Sequence, residues 1–303
     1  MRTIFTTCDA EVIQHILVSN HKNYRKDYAS NKLKMVLGNG LLTNEGESWF
    51  KQRRLAQPAF YKTRLEGFFD VMNQLTKNEL QEWKTQNNQT VFIDAAMMQL
   101  TSKIVVETLL GTDVSGQLNK IQQHIYDLQL YMVKCIRNPF FEIWSKVNGE
   151  RKNFDNALKS LDVILYDVIN EKKNKSTKND LLSMLMDARD VDTHEGMNTQ
   201  QLRDELLTIY VAGHETSGYA ISWAMYCLCK HPEKYNKAKA EVQAIMQDGK
   251  LTIENYKQLT YIKAVIDETL RIYTTAYILS RESKGSDVIN DTEIPKGIVT
   301  LMS

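Results

Sequence analysis

With 43% apolar and 25% charged residues, the 303-residue chain has the composition of an ordinary globular protein, which excludes disordered and fibrous classes. Its 38 Lys plus Arg against 37 Asp plus Glu leave a net charge of +1, so no charge excess points to nucleic acid or an anionic membrane. Four cysteines without a C-x-x-C pair exclude a disulfide framework and make a reducing, cytoplasmic compartment the default.

The opening "MRTIFTTCDAEVIQ" meets charge within its first turn and has no signal-type apolar core. The longest apolar run, "AISWAMYCLC", is about half the length of a membrane-spanning helix, so the chain reads as soluble with no transmembrane segment. "TIFTTCDAEVIQHILVSN" predicts a short strand and then a helix capped by Asp9. "LGNGLLTNEGESW" reads as a loop, and a helix beginning near Ser48 should stop at Pro58. "YKTRLEGFFDVMNQLTKNELQEWKTQ" predicts one long amphipathic helix, and "VFIDAAMMQLTSKIVVETLLG" a second, ended by Gly111.

From Leu118 to about Lys173 apolar residues recur at helical spacing, interrupted near Asn138 and Pro139. "NEKKNKSTKND" and "DARDVDTHEGMN" read as polar loops. Asn198 with Gln201 resembles a capping box opening a helix that continues to Lys230, about 32 residues or about 48 Å. Apolar around most of its girth, that helix should cross the middle of the molecule. Pro232 suits the first position of the next helix, "YIKAVIDETLRIY" is one more, and only "DVINDTEIPKGIVTLMS" reads as strands.

The longest helix carries poor helix formers at its centre, in "VAGHETSGYAISW". Gly213 costs about 1 kcal/mol relative to Ala, and Thr216 and Ser217 are also mediocre. Ala212 and Gly213 would let a flat ligand lie against the backbone. Thr216 can turn its hydroxyl to a carbonyl one turn back, bending the helix and leaving a polar notch beside Glu215. A kinked helix packed on a small-residue contact would carry the same residues. A zinc site of the H-E-x-x-H type fails, because position 218 is Gly. Glu268 and Arg271 stand i and i+3 on one helix and can pair, as many exposed residues do. Trp49 and Arg53, at i and i+4, present an indole N–H and a guanidinium that suit a carboxylate or, equally, a stacked surface pair.

"AGHETS" matches the central-helix motif [AG]-G-x-[DE]-T-[TS] of the cytochrome P450 family, "ETLR" its E-x-x-R helix and "W-x-x-x-R" its haem-facing helix. With "GLLTNEGESWFKQRRLAQPAF", "DLLSMLMDARD", "LRDELLTIYVAGHETS" and "IPKG" in familial order, nearly the whole chain resembles that family. The resemblance implies a mainly α cytochrome P450 fold, incomplete, with a long central helix and small β elements at both ends, as a single partial domain over residues 1–303. It implies haem b, electrons from NAD(P)H through a ferredoxin or flavoprotein reductase, and O2, one atom of which is inserted into a lipophilic, fatty-acid-like substrate.

By the same resemblance Ala212 and Gly213 would lie beside the porphyrin and the oxygen pocket. Thr216 would hold the oxygen and help deliver protons, and Glu215 would belong to the proton relay. Trp49, Arg53 and Arg281 would bind a haem propionate, and Glu268 with Arg271 would form a structural ion pair. The region Tyr24 to Gly40, taken as a loop, and the helices from Leu118 to Asn170 would shape the substrate pocket. "RIYTTAY" departs from the family, which often has two prolines where Thr274 and Thr275 stand, so that turn should be less rigid.

The family's axial cysteine, in F-x-x-G-x-R-x-C-x-G, is not reached before Ser303. Cys8, Cys135, Cys227 and Cys229 stand in no such setting and read as buried small hydrophobes. The axial ligand is therefore expected beyond Ser303, in an incomplete sequence or truncated product that also starts late. The rival expectation is a non-catalytic helical relative that binds an apolar ligand or a partner without haem.

Overall fold

Asp9 opens the first helix by accepting the N–H groups of Glu11 (2.8 Å) and Val12 (3.0 Å), donors that have no intrahelical partner. The computed structural model describes residues 4–85, 90–111, 116, 118–138, 140–174, 180–246 and 251–303. Strand β1 (Ile4–Thr7) precedes α1 (Ala10–Gln14), which continues as a π-turn, and β2 (Tyr24–Arg25) leads into α2 (Tyr28–Leu37). The segment taken as a loop from Tyr24 to Gly40 is thus a strand and a helix: Asp27 caps α2 through Ser30 N (3.1 Å), and Gly38 ends it at φ +59°.

Helix α3 (Gly46–Ala56) gives way to a 3-10 turn carrying Pro58. The single long helix expected next is two, α4 (Lys62–Glu66) and α5 (Phe69–Thr85). Between them Gly67 N and Phe68 N bond three residues back, to Arg64 O and Leu65 O, and the tightened turn brings Phe68 into the core. Helix α6 (Ile93–Leu110) ends at Gly111, φ +78°, as expected. Helices α7 (Leu118–Arg137), α8 (Phe141–Val147), α9 (Glu150–Asn174) and α10 (Leu181–Asp187) follow. Pro139 and the centre of the expected "NEKKNKSTKND" loop, residues 175–179, lie outside the described residues; the start of that segment is the end of α9.

Helix α11 (Thr199–Lys230) has the expected 32 residues, with Asn198 Oδ1 accepting from Gln201 N at 2.8 Å. It is followed by α12 (Pro232–Ile245), begun by Pro232, then α13 (Ile253–Tyr256) and α14 (Thr260–Ile272). Strands β3 (Leu279–Ser283), β4 (Asp287–Ile289), β5 (Thr292–Ile294) and β6 (Val299–Met302) complete the chain. One sheet has the order β1-β6-β3-β2, with β1 parallel to β6 and the other pairs antiparallel, so the two ends of the chain close on each other. The β4–β5 hairpin turns through Asn290 and Asp291, both at positive φ, the conformation a two-residue hairpin loop needs.

The main core gathers α2, α6, α7, α9, α10 and the first half of α11, around Leu109, Leu128, Leu161, Leu182 and Leu206. The second half of α11 is different: Tyr219 is 49% and Tyr226 46% exposed. That explains a correction to the cysteines. Only Cys135 is buried; Cys229, on this half of α11, and Cys8 are exposed and Cys227 is partly exposed. Among the described residues no helix is long and apolar enough to cross a membrane.

Candidate functional site

Two faces of α11 separate the small residues at its centre. On one face Gly213 and Gly218 meet α6. A Cβ on Gly213 would stand 3.1 Å from Val105 Cγ2, and one on Gly218 would stand 2.8 Å from Met98 Sδ and 3.3 Å from Met98 Cα. Thr101 on α6 donates its hydroxyl to the His214 carbonyl at 2.8 Å, drawing the two backbones together. The other face is open, with Ala212, Thr216, Tyr219 and Trp223 all exposed at helical spacing. There the Thr216 hydroxyl donates to Ala212 O at 2.6 Å, the back-bond that loosens a helix and marks a polar notch.

This open face continues into a cleft of about 750 Å³ between Trp223, the end of α14 with the residues that follow it (Arg271–Tyr277), and Leu279 and Met302 of the sheet. Trp223 stacks flat on Tyr273, with ring centroids 4.1 Å apart. Glu215, one residue from Thr216, is held by Gln129 of α7 through a 2.7 Å hydrogen bond. Glu268 and Arg271 form the expected bidentate pair, with both bonds at 2.7 Å, but they are 57% and 69% exposed, so its worth here is that of a surface pair.

The basic residues named from sequence are only partly brought together. The indole N–H of Trp49 donates to the Leu41 carbonyl at 2.9 Å, and Arg53, one turn later on α3, is exposed and makes no ion pair among the described residues. Arg281 on β3 is half-buried and donates to Ser280 O at 2.7 Å; burial lowers its guanidinium from the ordinary value, while Glu45 and Asp27 act in the opposite sense.

Lys26 went unnoticed in the sequence. Its ammonium donates to Asn44 O (2.6 Å) and to the same Leu41 carbonyl as Trp49 (3.3 Å). Burial, then the charge of Arg281, pulls Lys26 down to about 8. Lys26, Trp49 and Arg281 thus supply one indole and two desolvated cationic donors, and an anion placed among them would offset their desolvation. A haem carries a flat face and propionates: the open helix face with Ala212 and Thr216 suits the first, and the donors Lys26, Trp49 and Arg281 suit the second.

Glu205 also went unnoticed, although an acid among Leu202, Leu206 and Leu207 was a readable signal. It is fully buried, accepts the Leu41 N–H at 3.1 Å, and leaves Oε1 without a partner, as Thr208 leaves its hydroxyl. Burial raises Glu205 to about 7; the Leu41 N–H opposes the shift, Asp204 adds to it and Lys26 opposes it.

The description "Cytochrome P450" is that of the family model matching residues 1–303. Cyclooctatin synthase of Streptomyces melanosporofaciens is 26% identical over 307 residues, covering 100% of this chain and 66% of that protein. Cytokinin hydroxylase of Arabidopsis thaliana is 28% identical over 305 residues, covering 96% and 58%. The crystal structure of the cytochrome P450DA haem domain superposes with a TM-score of 0.88 at 21% identity, covering 98% of this chain and 66% of that one. The chain therefore spans about two thirds or less of the length of these relatives.

Proposed function

Because the chain belongs to the cytochrome P450 family, we propose that the whole protein is a haem-dependent monooxygenase acting on a lipophilic, fatty-acid-like substrate, with electrons from NAD(P)H delivered by a ferredoxin or flavoprotein reductase. The observation that carries this reading is the notch on α11, where Thr216 bonds Ala212 O on an exposed face; the donor group of Lys26, Trp49 and Arg281 supports it. When bound, the haem supplies the oxidation chemistry, by which one atom of O2 enters the substrate and the other leaves as water.

In this reading Ala212 keeps side-chain bulk away from the ring on the open face, while Gly213, expected beside the ring as well, lets α6 approach on the other. Trp49, Arg53, Lys26 and Arg281 bind its propionates. Thr216 holds a proton at its Oγ1 within reach of the open face, and Glu215 feeds that position from the side of α7. Glu268 and Arg271 brace the end of α14.

The test is a spectral titration with haem of the protein expressed from its complete reading frame, followed by reduction under carbon monoxide. Saturable binding with a thiolate-type Soret band, weakened several-fold by Arg281→Ala, is expected. A protein that takes up no haem would overturn the reading and leave the rival, a helical relative binding an apolar ligand.

A further inference from the structure

The backbone of Leu41 is gripped from both sides. Its N–H points to the buried carboxylate of Glu205 on α11 (3.1 Å), and its carbonyl receives the Trp49 indole (2.9 Å) and the Lys26 ammonium (3.3 Å). The loop around Leu41 meets α11 at further points. A Cβ on Gly40 would stand 2.1 Å from Thr208 Oγ1, Asn39 N donates to Asp204 Oδ2 at 2.8 Å, and Thr43 Oγ1 ties the loop to Gly38 O at 2.7 Å. Gln52, on the same helix as Trp49, donates to Asn39 O at 2.8 Å. The position of Leu41 is thus set by α11, and Leu41 in turn sets where Trp49 and Lys26 rest.

We propose that Glu205 is a positioning residue for the anion-binding edge of the site: through the Leu41 backbone its carboxylate holds Trp49 and Lys26 ready for a haem propionate, and its protonation releases them. The proposal rests on the haem reading for the identity of the anion, but not for the coupling itself.

A charged acceptor makes a hydrogen bond roughly twice as strong as a neutral one, so the grip on Leu41 N–H depends on the charge of Glu205. The charged groups facing Glu205 are Asp204 on its own helix and Lys26 from the segment before α2; Lys26 in turn faces Arg281, Glu45 and Lys34. Glu205 Oε1 and the Thr208 hydroxyl, three residues apart on α11, are both buried without a hydrogen-bond partner. With Glu205 raised to about 7, the change falls within the physiological range. A merely structural carboxylate would hold the loop without altering the state of a distant indole.

The experiment labels the tryptophans with nitrogen-15 and follows the indole N–H signal of Trp49, assigned with Trp49→Phe, as pH is varied without haem. The signal should titrate with a midpoint near 7, and Glu205→Gln should abolish the titration while the protein stays folded. Lys26→Met, which leaves Glu205 in place, should move the midpoint upward, because Lys26 favours the carboxylate. In parallel, haem affinity of the wild type should fall several-fold as pH drops through the same midpoint, and that of Glu205→Gln should be flat. A Trp49 signal that does not titrate there, or titrates alike in wild type and Glu205→Gln, overturns the proposal. Failure of the wild type to bind haem at any pH would overturn the haem reading instead, with the indole titration still deciding the coupling.

Discussion

The hydroxyl of Thr216 donates to the carbonyl of Ala212 at 2.6 Å, one turn back on α11 and on its exposed face. A residue kept there for stability should be costly to replace, whereas one kept for chemistry should not be. Ala is the better helix former, by roughly 0.5 kcal/mol. Thr216→Ala should therefore leave the urea midpoint unchanged or slightly raised, while product formed per electron falls and peroxide accumulates in the haem-loaded protein. A large stability loss with unchanged product yield would make Thr216 a structural residue.

Gly213 and Gly218 face the same helix but tolerate a methyl group differently. At Gly213 the neighbour is the tip of Val105, 3.1 Å away, which can shift, so the helix-propensity gain of about 1 kcal/mol should offset the crowding. At Gly218 the added carbon meets the Met98 backbone as well as its sulfur, and overpacking costs about 1 to 3 kcal/mol. Thermal melts should show Gly213→Ala close to the wild type and Gly218→Ala clearly lower.

Glu205 gives stability a definite pH dependence. Its folded-state pKa of about 7 lies above the ordinary value of 4.5, so the folded chain holds the proton more tightly than the unfolded chain. The resulting contribution is complete below about 4.5 and is lost as pH rises to about 7, on the order of 3 kcal/mol in all. Subtracting the Glu205→Gln stability curve from that of the wild type should show this fall, and parallel curves would refute it.

Lys172 and Asp180 form an ion pair at 2.6 Å with side chains only 9% and 6% exposed, and Asp180 also caps α10 through Ser183 N at 2.9 Å. Asp180→Ala strands a buried ammonium and should cost about 3 kcal/mol in urea unfolding. Replacing both, Lys172→Met with Asp180→Leu, should recover most of that and leave about 1 kcal/mol for the missing cap.

The sequence by itself determined what short-range chemistry controls. Asp9 and Asn198 cap, Gly111 stops a helix, Pro232 starts one, and the 32-residue span of α11 follows from its periodicity, because each of these depends on atoms within a turn or two of the chain. The weak helix formers at its centre were legible for the same reason, as was the Glu268–Arg271 pair three residues apart.

Only the tertiary structure decided the rest. Leu41 and Glu205 are 164 residues apart, and no local pattern says that a loop backbone will carry the indole of Trp49 on one side and a buried acid on the other. Lys26 gave no signal, since a lone lysine becomes remarkable only when neighbouring elements remove its water. Burial also divided the cysteines and exposed the Glu268–Arg271 pair, and the turn of Phe68 into the core split a helix that periodicity joined. Such outcomes depend on which surfaces the whole chain brings together, a sum of many weak contacts that periodicity does not encode.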